Sequence, residues 1–200
     1  MPEAAMPVLD WDKGGGLLPA IVQDARSHRV LMLGYMDREA LAATVDTGFV
    51  TFFSRSRRRQ WTKGESSGHR LRLVSLEADC DADTLLVQAL PHGPTCHLGR
   101  ASCFEGAPAS ALAELDRLVE TRASELPEGS YTTRLLREGI RRVAQKVGEE
   151  GVEAALAAVA EDDDALLGEA ADLAYHLLVL LRARGLGLAD LEDVLRRRGA

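Results

Sequence analysis

The sequence lacks a long apolar run, and it has only three cysteines among 200 residues. Its longest apolar stretch, LAYHLLVLL at 173–181, is much shorter than the roughly 20 residues that cross a bilayer. The first residues, MPEAAMPVLDWDKGGG, do not show the basic and then apolar segments of a signal peptide. We therefore expect no membrane segment and a cytoplasmic location, where the cysteines are free thiols or metal ligands rather than disulfides.

An excess of positive charge is also absent. Lys and Arg number 24 against 31 Asp and Glu, giving a net charge of −7, and most of the acidic excess falls in residues 109–200. A protein with this balance is not a general binder of polyanions, so no nucleic-acid partner is expected. The carboxylates of the second half serve either solubility, their usual role on a surface, or a specific site.

Short strand-like runs dominate the first half of the chain. Alternation and length predict strands at 30–36, 50–54, 69–78 and 84–90. One helix is predicted between them; it begins after Asp37, a residue type that caps helices, and ends at Gly48. Residues 1–107 are therefore predicted to form a strand-rich α+β domain.

The second half changes to a helical period after EGAPASA at 105–111, which has the composition of a linker. Helical segments are predicted at 110–126, 132–160, 162–185 and 188–199. The segment 132–160 is expected to be one long run weakened by Gly139, Gly148 and Gly151. The fold class is thus multidomain, with an all-α second domain over residues 108–200.

All three cysteines lie within one stretch of the first domain, at Cys80, Cys96 and Cys103. Three thiolates leave one tetrahedral position of a zinc ion open, which is the arrangement of a catalytic site. Zinc in such a site lowers the pKa of a bound water to about 7 and makes it a nucleophile. The alternative is that these are buried packing cysteines, since free Cys is often buried. Their proximity to His92 and His97 favours the metal site.

Aspartates flank the first of these cysteines at Asp79, Asp81 and Asp83. In an extended segment, alternate residues share one face, so these carboxylates are expected to hold Mg²⁺ while Cys80 faces the other way toward zinc. The alternative is a turn that favours Asp for its local hydrogen bonds.

These stretches resemble the phosphoribosyl-AMP cyclohydrolase family of histidine biosynthesis. The resemblance covers most of residues 8–104 and rests on VLMLGYM (30–36), SRSR (54–57), WTKGESSGH (61–69), DCDAD (79–83) and CHLGRASCF (96–104). It implies zinc on Cys80, Cys96 and Cys103 with ligands contributed across a homodimer interface. It also implies Mg²⁺ on the three aspartates, and it makes His97 a candidate for proton transfer.

Basic and small polar residues of the first domain are candidates for binding the phosphates of such a substrate. The candidates are Arg55, Arg57, Trp61, Lys63, Ser66, Ser67 and Gly68, with Arg58 and Arg59 continuing the basic run. A charged run on its own is usually a solvated face, whereas the Ser and Gly residues of 64–68 add hydroxyl and backbone donors.

Paired carboxylates recur in the second half at helical spacing. Glu149, Glu150 and Glu153 fall within little more than one turn, and Glu169 and Asp172 are three residues apart. Two packed helices would gather these groups around Mg²⁺, which binds diphosphate well. Such pairs also occur on solvated helix faces, but the apolar surroundings of Asp172 suggest that part of this acidic face lies near the interior.

This half resembles phosphoribosyl-ATP pyrophosphohydrolase, an all-α enzyme of the MazG-like group. SYTTRLL (130–136), QKVGEEGVE (145–153) and EAADLAYHLLVLL (169–181) carry the resemblance, which covers most of residues 110–198. It implies Mg²⁺ on Glu149, Glu150, Glu153, Glu169 and Asp172, a catalytic role for all of these except Glu149, and substrate binding by Lys146. Gly151 departs from the expected Ala, and a glycine there costs up to about 1 kcal/mol of helix propensity.

Together the two resemblances imply a bifunctional hydrolase of histidine biosynthesis that uses Zn²⁺ and Mg²⁺. The second domain would cleave phosphoribosyl-ATP, and the first would open the adenine ring of the phosphoribosyl-AMP produced. One alternative is a purine deaminase fused to a nucleotide-cleansing pyrophosphatase, although the H-x-E and P-C-x-x-C pattern of deaminases is absent. A second alternative is a zinc-stabilised dimerisation module attached to a helical bundle.

Overall fold

The computed structural model describes residues 8–199 and divides the chain into two compact units, the first ending at Ser110 and the second beginning at Ala111. This division lies close to the boundary at 107 and 108 that the linker composition suggests. A strand-rich first unit followed by an all-helical second unit confirms the predicted fold class. In the part of the chain that the structure describes, no helix is long and apolar enough to cross a membrane.

The first unit is built on a four-stranded sheet of order β2-β1-β6-β5, in which β1 and β6 are parallel and the other neighbours antiparallel. Strands β3 and β4 form a separate hairpin. The elements are β1 (Leu18–Asp24), β2 (Val30–Met36), α1 (Arg38–Thr47), β3 (Thr51–Ser54), β4 (Arg59–Thr62), β5 (Leu71–Ala78) and β6 (Leu85–Pro91). The sequence had not indicated β1 or β4.

The predicted helix α1 is confirmed with its caps. Asp37 accepts a hydrogen bond from the backbone N–H of Ala40, and Gly48 ends the helix in the left-handed region at φ 70°. Alternate residues of β1 are fully buried, and the ring of Phe52 packs closely against Gly34. A Cβ at Gly34 would lie 2.3 Å from that ring, so the approach of the hairpin to the sheet requires glycine.

The second unit consists of five helices in its described residues, and α4 packs extensively against α5. They are α2 (Ala111–Glu125), α3 (Tyr131–Glu138), α4 (Ile140–Ala160), α5 (Asp163–Ala183) and α6 (Leu188–Gly199). The single run predicted over 132–160 is wrong, because Gly139 has φ 92° and separates α3 from α4. Gly148 and Gly151 lie inside α4 without interrupting it.

The core of the second unit is small. Val119, Leu135, Val143 and Val179 form its buried cluster, whereas the first unit buries a larger set of apolar side chains around its sheet. The helices α4 and α5 therefore present much of their length to solvent, and Glu150 is the buried carboxylate of the pair.

Candidate functional site

A cleft of about 650 Å³ opens in the first unit between the β3-β4 hairpin, the segment 63–69 and the segment 94–103. Its size suits a nucleotide-sized ligand. Predicted site residues line it: Arg57, Trp61, Lys63, Ser66, Ser67, His97 and Cys103. Arg59, His69 and Thr95 line it as well.

The predicted contacts Arg55 and Gly68 are not among the lining residues. The guanidinium carbon of Arg55 lies 3.8 Å from the centre of the Tyr35 ring, so this side chain stacks on β2. Gly68 has φ 77° and shapes the turn of the segment 63–69. Arg58 also has a positive φ, 51°, at the hairpin turn.

His69 is held at the cleft by two glycines. At Gly64, φ is 83° and an added Cβ would lie 2.4 Å from the His69 carbonyl oxygen. At Gly93, an added Cβ would lie 2.8 Å from the His69 ring. Lys63 donates a hydrogen bond to the same carbonyl at 3.4 Å. The sequence contained His69 inside the resemblance, but its spacing gave no reason to single it out.

The cleft carries positive charge with one internal ion pair. Arg59 contacts Glu65 at 3.0 Å, and this hydrogen bond lowers the pKa of Glu65. Burial lowers the pKa of Lys63, while the nearby thiols of Cys103 and Cys96 act in the opposite direction. Thr95 is 2% exposed, and its hydroxyl has no hydrogen-bond partner among the described residues.

Of the three cysteines, Cys103 lines the cleft, and Cys96 is buried nearby in the same loop. The two thiols are close enough that each perturbs the pKa of the other; a hydrogen bond from the Leu98 backbone lowers the pKa of Cys96, and desolvation raises that of Cys103. The backbone N–H of Cys103 donates to Leu31 O at 2.8 Å, which ties this loop to β2.

Cys80 does not join the other two thiols. It is exposed in the turn between β5 and β6, and no three-ligand cluster within residues 8–199 of one protomer includes a cysteine. A site made of three thiolates is therefore not formed by a single protomer.

The three aspartates are close, but not for the predicted reason. They lie in a turn rather than an extended segment, since Ala82 has φ 63° and Asp79 Oδ1 accepts hydrogen bonds from the backbone N–H groups of Asp83 and Thr84, each at 3.0 Å. One oxygen from each carboxylate falls within 4.8 Å of the others. The explanation by strand alternation is thus wrong, while the proximity it was meant to explain is present.

A lysine already contacts the aspartate cluster. Lys13 Nζ lies 2.9 Å from Asp81 Oδ2 and 3.6 Å from Asp83 Oδ2. The hydrogen bond from Lys13 lowers the pKa of Asp81. The pair is exposed, so solvent weakens its attraction. The cluster suits a hard cation, and that cation would have to compete with this ammonium group.

In the second unit, Glu150 from α4 and Glu169 and Asp172 from α5 place one carboxylate oxygen each within 4.8 Å of one another. Glu150 is 4% exposed and is the buried member, whereas Asp172 is exposed, contrary to the expectation for its helix. Desolvation is the main reason that the pKa of Glu169 is raised, and the negative charge of Glu153 raises it further. Gathered carboxylates of this kind suit a divalent cation, which would relieve their repulsion.

Glu149 is placed outside this carboxylate group. It accepts a hydrogen bond from Gln145 at 2.7 Å and contacts Lys146 at 2.9 Å. Lys146 also contacts Glu150 at 2.6 Å, and these two carboxylates raise the pKa of the ammonium group. Lys146 is therefore engaged with the acidic residues of its own helix, and Glu150 is the one of the two adjacent glutamates that faces α5.

A buried histidine connects Glu150 to the start of α3. His176 Nδ1 lies 3.5 Å from Glu150 Oε1 and 2.9 Å from the Asp172 carbonyl oxygen, and its Nε2 lies 3.1 Å from the hydroxyl of Tyr131. The sequence gave one overlooked signal for this group, a single imidazole inside the apolar run LAYHLLVLL.

Comparison with known families places each unit. The family model described as phosphoribosyl-AMP cyclohydrolase matches residues 32–105, and that described as phosphoribosyl-ATP pyrophosphohydrolase matches residues 112–199. Proteins named histidine biosynthesis bifunctional protein HisIE are similar over nearly the whole chain. That of Xanthomonas axonopodis pv. citri is 68% identical over 96% of this chain and 94% of its own length. That of Salmonella typhimurium is 55% identical over 95% of each chain.

Proposed function

We propose residues and metal ions for the two hydrolytic reactions of this chain, which belongs to the family of histidine biosynthesis bifunctional proteins HisIE. The protein is a bifunctional hydrolase with a phosphoribosyl-AMP cyclohydrolase domain and a phosphoribosyl-ATP pyrophosphohydrolase domain. The second releases pyrophosphate from phosphoribosyl-ATP, and the first opens the adenine ring of the resulting phosphoribosyl-AMP. These two family descriptions agree neither with a purine deaminase fused to a pyrophosphatase nor with a purely structural zinc module.

The pyrophosphohydrolase site lies at Glu150, Glu169 and Asp172, with Glu153 beside them. The observation that carries this assignment is the convergence of three carboxylates, one of them buried, from two packed helices. Mg²⁺ held there would neutralise the triphosphate and activate the attacking water. Lys146 orients Glu150, which it contacts at 2.6 Å, and Glu149 supports Lys146 rather than binding metal.

The cyclohydrolase site lies in the cleft of the first unit. Cys96 and Cys103 are adjacent and would hold Zn²⁺, and Cys80 of a second subunit would supply the third thiolate. Zinc bound there would make water a nucleophile at neutral pH. His97 lines the cleft next to Cys96 in the sequence, where it can move a proton between water and the ring nitrogen.

Substrate phosphates would contact the basic side of the same cleft. Arg57 and Lys63 supply charge, Ser66 and Ser67 supply hydroxyl donors, and Trp61 offers an apolar wall. Mg²⁺ on the aspartate turn at 79–83 would replace Lys13 as the partner of Asp81. A reducing cytoplasmic location suits thiolate ligands.

A homodimer is proposed for two reasons. Cys80 stands apart from the other thiols, so a three-thiolate site needs a second copy of the chain. In addition, Val152, Leu156 and Val159 expose one apolar stripe of α4 at helical spacing, with exposed fractions of 60%, 58% and 85%. A stripe of this kind on a unit with a small core fits an interface between subunits.

Changing Glu150 to Gln tests the assignment of the two sites. The variant keeps the shape of the side chain and removes one metal-binding charge, so pyrophosphate release should fall by at least about 100-fold. Opening of phosphoribosyl-AMP should continue at the normal rate. Glu149→Gln is the matched control on the same helix turn, and it should lose much less activity. Equal loss of both reactions in folded Glu150→Gln would contradict separate sites.

A further inference from the structure

A second cleft, of about 470 Å³, lies in the helical unit at the N-terminal end of α3. It is lined by Ser130, Tyr131, Thr133, Arg134 and Arg137, among others. None of these residues belongs to the carboxylate group of α4 and α5. The lining combines two arginines, one carboxylate (Glu138), three hydroxyl residues and the start of a helix, a composition with a positive balance that suits an anion.

The helix start supplies positive potential. Ser130 caps α3, and its hydroxyl accepts a hydrogen bond from the backbone N–H of Thr133 at 3.4 Å. The first N–H groups of a helix have no acceptor within the helix, and the aligned peptide dipoles favour a negative charge there. Phosphate groups are frequently bound in this position.

Thr133 gives an independent indication of a ligand. The residue lines the cleft and is 2% exposed, and its hydroxyl has no hydrogen-bond partner among residues 8–199. A buried hydroxyl without a partner is costly, and most buried polar groups in native proteins are satisfied. An acceptor bound in the cleft would satisfy this hydroxyl.

Glu138, the one carboxylate among the lining residues, does not neutralise both arginines. Arg134 lies over the Tyr131 ring at 5.0 Å and contacts Glu138 at 3.9 Å, but Glu138 is shared with Arg142 at 3.6 Å. In the part of the chain that the structure describes, Arg137 has no ion-pair partner. The cleft therefore keeps a positive balance beside an unsatisfied hydroxyl.

The cleft is two contacts away from the carboxylate group. The Tyr131 hydroxyl lies 3.1 Å from His176 Nε2, and His176 Nδ1 lies 3.5 Å from Glu150 Oε1. Tyr131 thus both lines the cleft and takes part in the contacts that reach Glu150, which places the cleft near the carboxylate group. Phosphoribosyl-ATP has two anionic ends, the triphosphate that is cleaved and the monophosphate of the N1-linked ribose.

We propose that the cleft at the start of α3 binds this monophosphate, through Thr133, Arg137 and the helix N-terminus. The proposal rests on the assigned pyrophosphohydrolase function and extends it to substrate recognition. Residues of this cleft bind and orient a group that does not react, so they should control KM more than kcat. The monophosphate would anchor the nucleotide while its triphosphate lies at the carboxylates.

The test compares two substrates in the full-length protein: phosphoribosyl-ATP and its analogue without the monophosphate on the N1-linked ribose. The wild-type protein should show at least about a tenfold lower kcat/KM for the analogue, since charge-assisted hydrogen bonds are lost. Arg137→Gln and Thr133→Val should each raise KM for phosphoribosyl-ATP by about tenfold, with kcat nearly unchanged. Neither variant should affect cleavage of the analogue.

Arg141→Gln is the matched control, because Arg141 is an exposed arginine of α4 that does not line the cleft. It should leave both substrates unaffected, and the cyclohydrolase rate checks the integrity of each variant. Thr133→Val removes a hydroxyl without a partner, so its thermal stability should not fall. Equal losses on both substrates, or a wild-type protein that does not distinguish them, would overturn the proposal. A wild-type protein that cleaves neither would refute the assigned function itself.

Discussion

Replacing Gly151 with Ala should stabilise the helical unit. The residue lies inside α4 between Glu150 and Glu153, and an added Cβ would meet only the Cδ1 atom of Leu173, at 4.0 Å. That distance is an ordinary van der Waals contact, so the methyl group fits without strain. The gain in helix propensity is about 0.8–1 kcal/mol. For a unit of this size it corresponds to a rise in Tm of roughly 4–8 °C.

The two units differ in their spectroscopic reporters, which makes this measurable. Trp11 and Trp61, the two tryptophans of the chain, lie in the first unit, so tryptophan fluorescence follows that unit alone. Circular dichroism at 222 nm follows mainly the helices of the second. Gly151→Ala should move the helical transition and leave the fluorescence transition in place.

Gly148→Ala serves as the control within the same helix, because nothing lies within 4 Å of its added Cβ. It should give a similar gain from propensity alone. A drop in Tm for Gly151→Ala together with a gain for Gly148→Ala would show that α4 and α5 are packed more tightly at Leu173 than described. Pyrophosphate release should persist in both variants, since neither methyl group meets a carboxylate of the site.

Two further predictions concern the metal sites of the first unit. Asp81→Asn should raise the Mg²⁺ concentration needed for ring opening at unchanged zinc content, whereas Lys13→Met should lower that concentration by removing a competing charge. The measurement is the rate of ring opening as a function of Mg²⁺, with zinc analysis in parallel. An unchanged Mg²⁺ curve for Asp81→Asn would show that Asp81 is only a turn residue. Cys80→Ala and Cys96→Ala should each abolish ring opening, but mixed subunits should recover about a quarter of the activity, because hybrid dimers keep one complete zinc site. No recovery after verified subunit exchange would place all three thiolates in one protomer.

Local chemistry was sufficient to predict several elements. Asp37 and Gly48 fix α1 because capping depends on residues close in sequence. The break at Gly139 was missed, since a helix-compatible glycine and a helix-ending one look alike until the packing of α3 against α4 decides. Strand β1 was missed, and its central place in the sheet depends on parallel pairing with β6, a partner distant in sequence.

The sequence predicted the residue types of the candidate sites better than it predicted their geometry. The aspartates of 79–83 are gathered by a turn with Ala82 in a left-handed conformation, which the alternation of the sequence does not reveal. Spacing could not separate Glu149 from Glu150, because only the position of α5 determines which of them faces it. His176 required knowledge of the same helix pairing.

The parallel pairing of β1 with β6 has a consequence for synthesis on the ribosome. The central pair of the sheet joins residues such as Ala20 and Leu85, so β1 must wait until β6 has left the exit tunnel before it finds its second neighbour. Until then one edge of β1 has no hydrogen-bonding partner, and the core that buries Leu18, Ala20 and Val22 is incomplete. The nascent chain therefore carries an unpaired strand edge for most of the first unit's translation, and exposed edges of this kind are prone to aggregate before folding is complete.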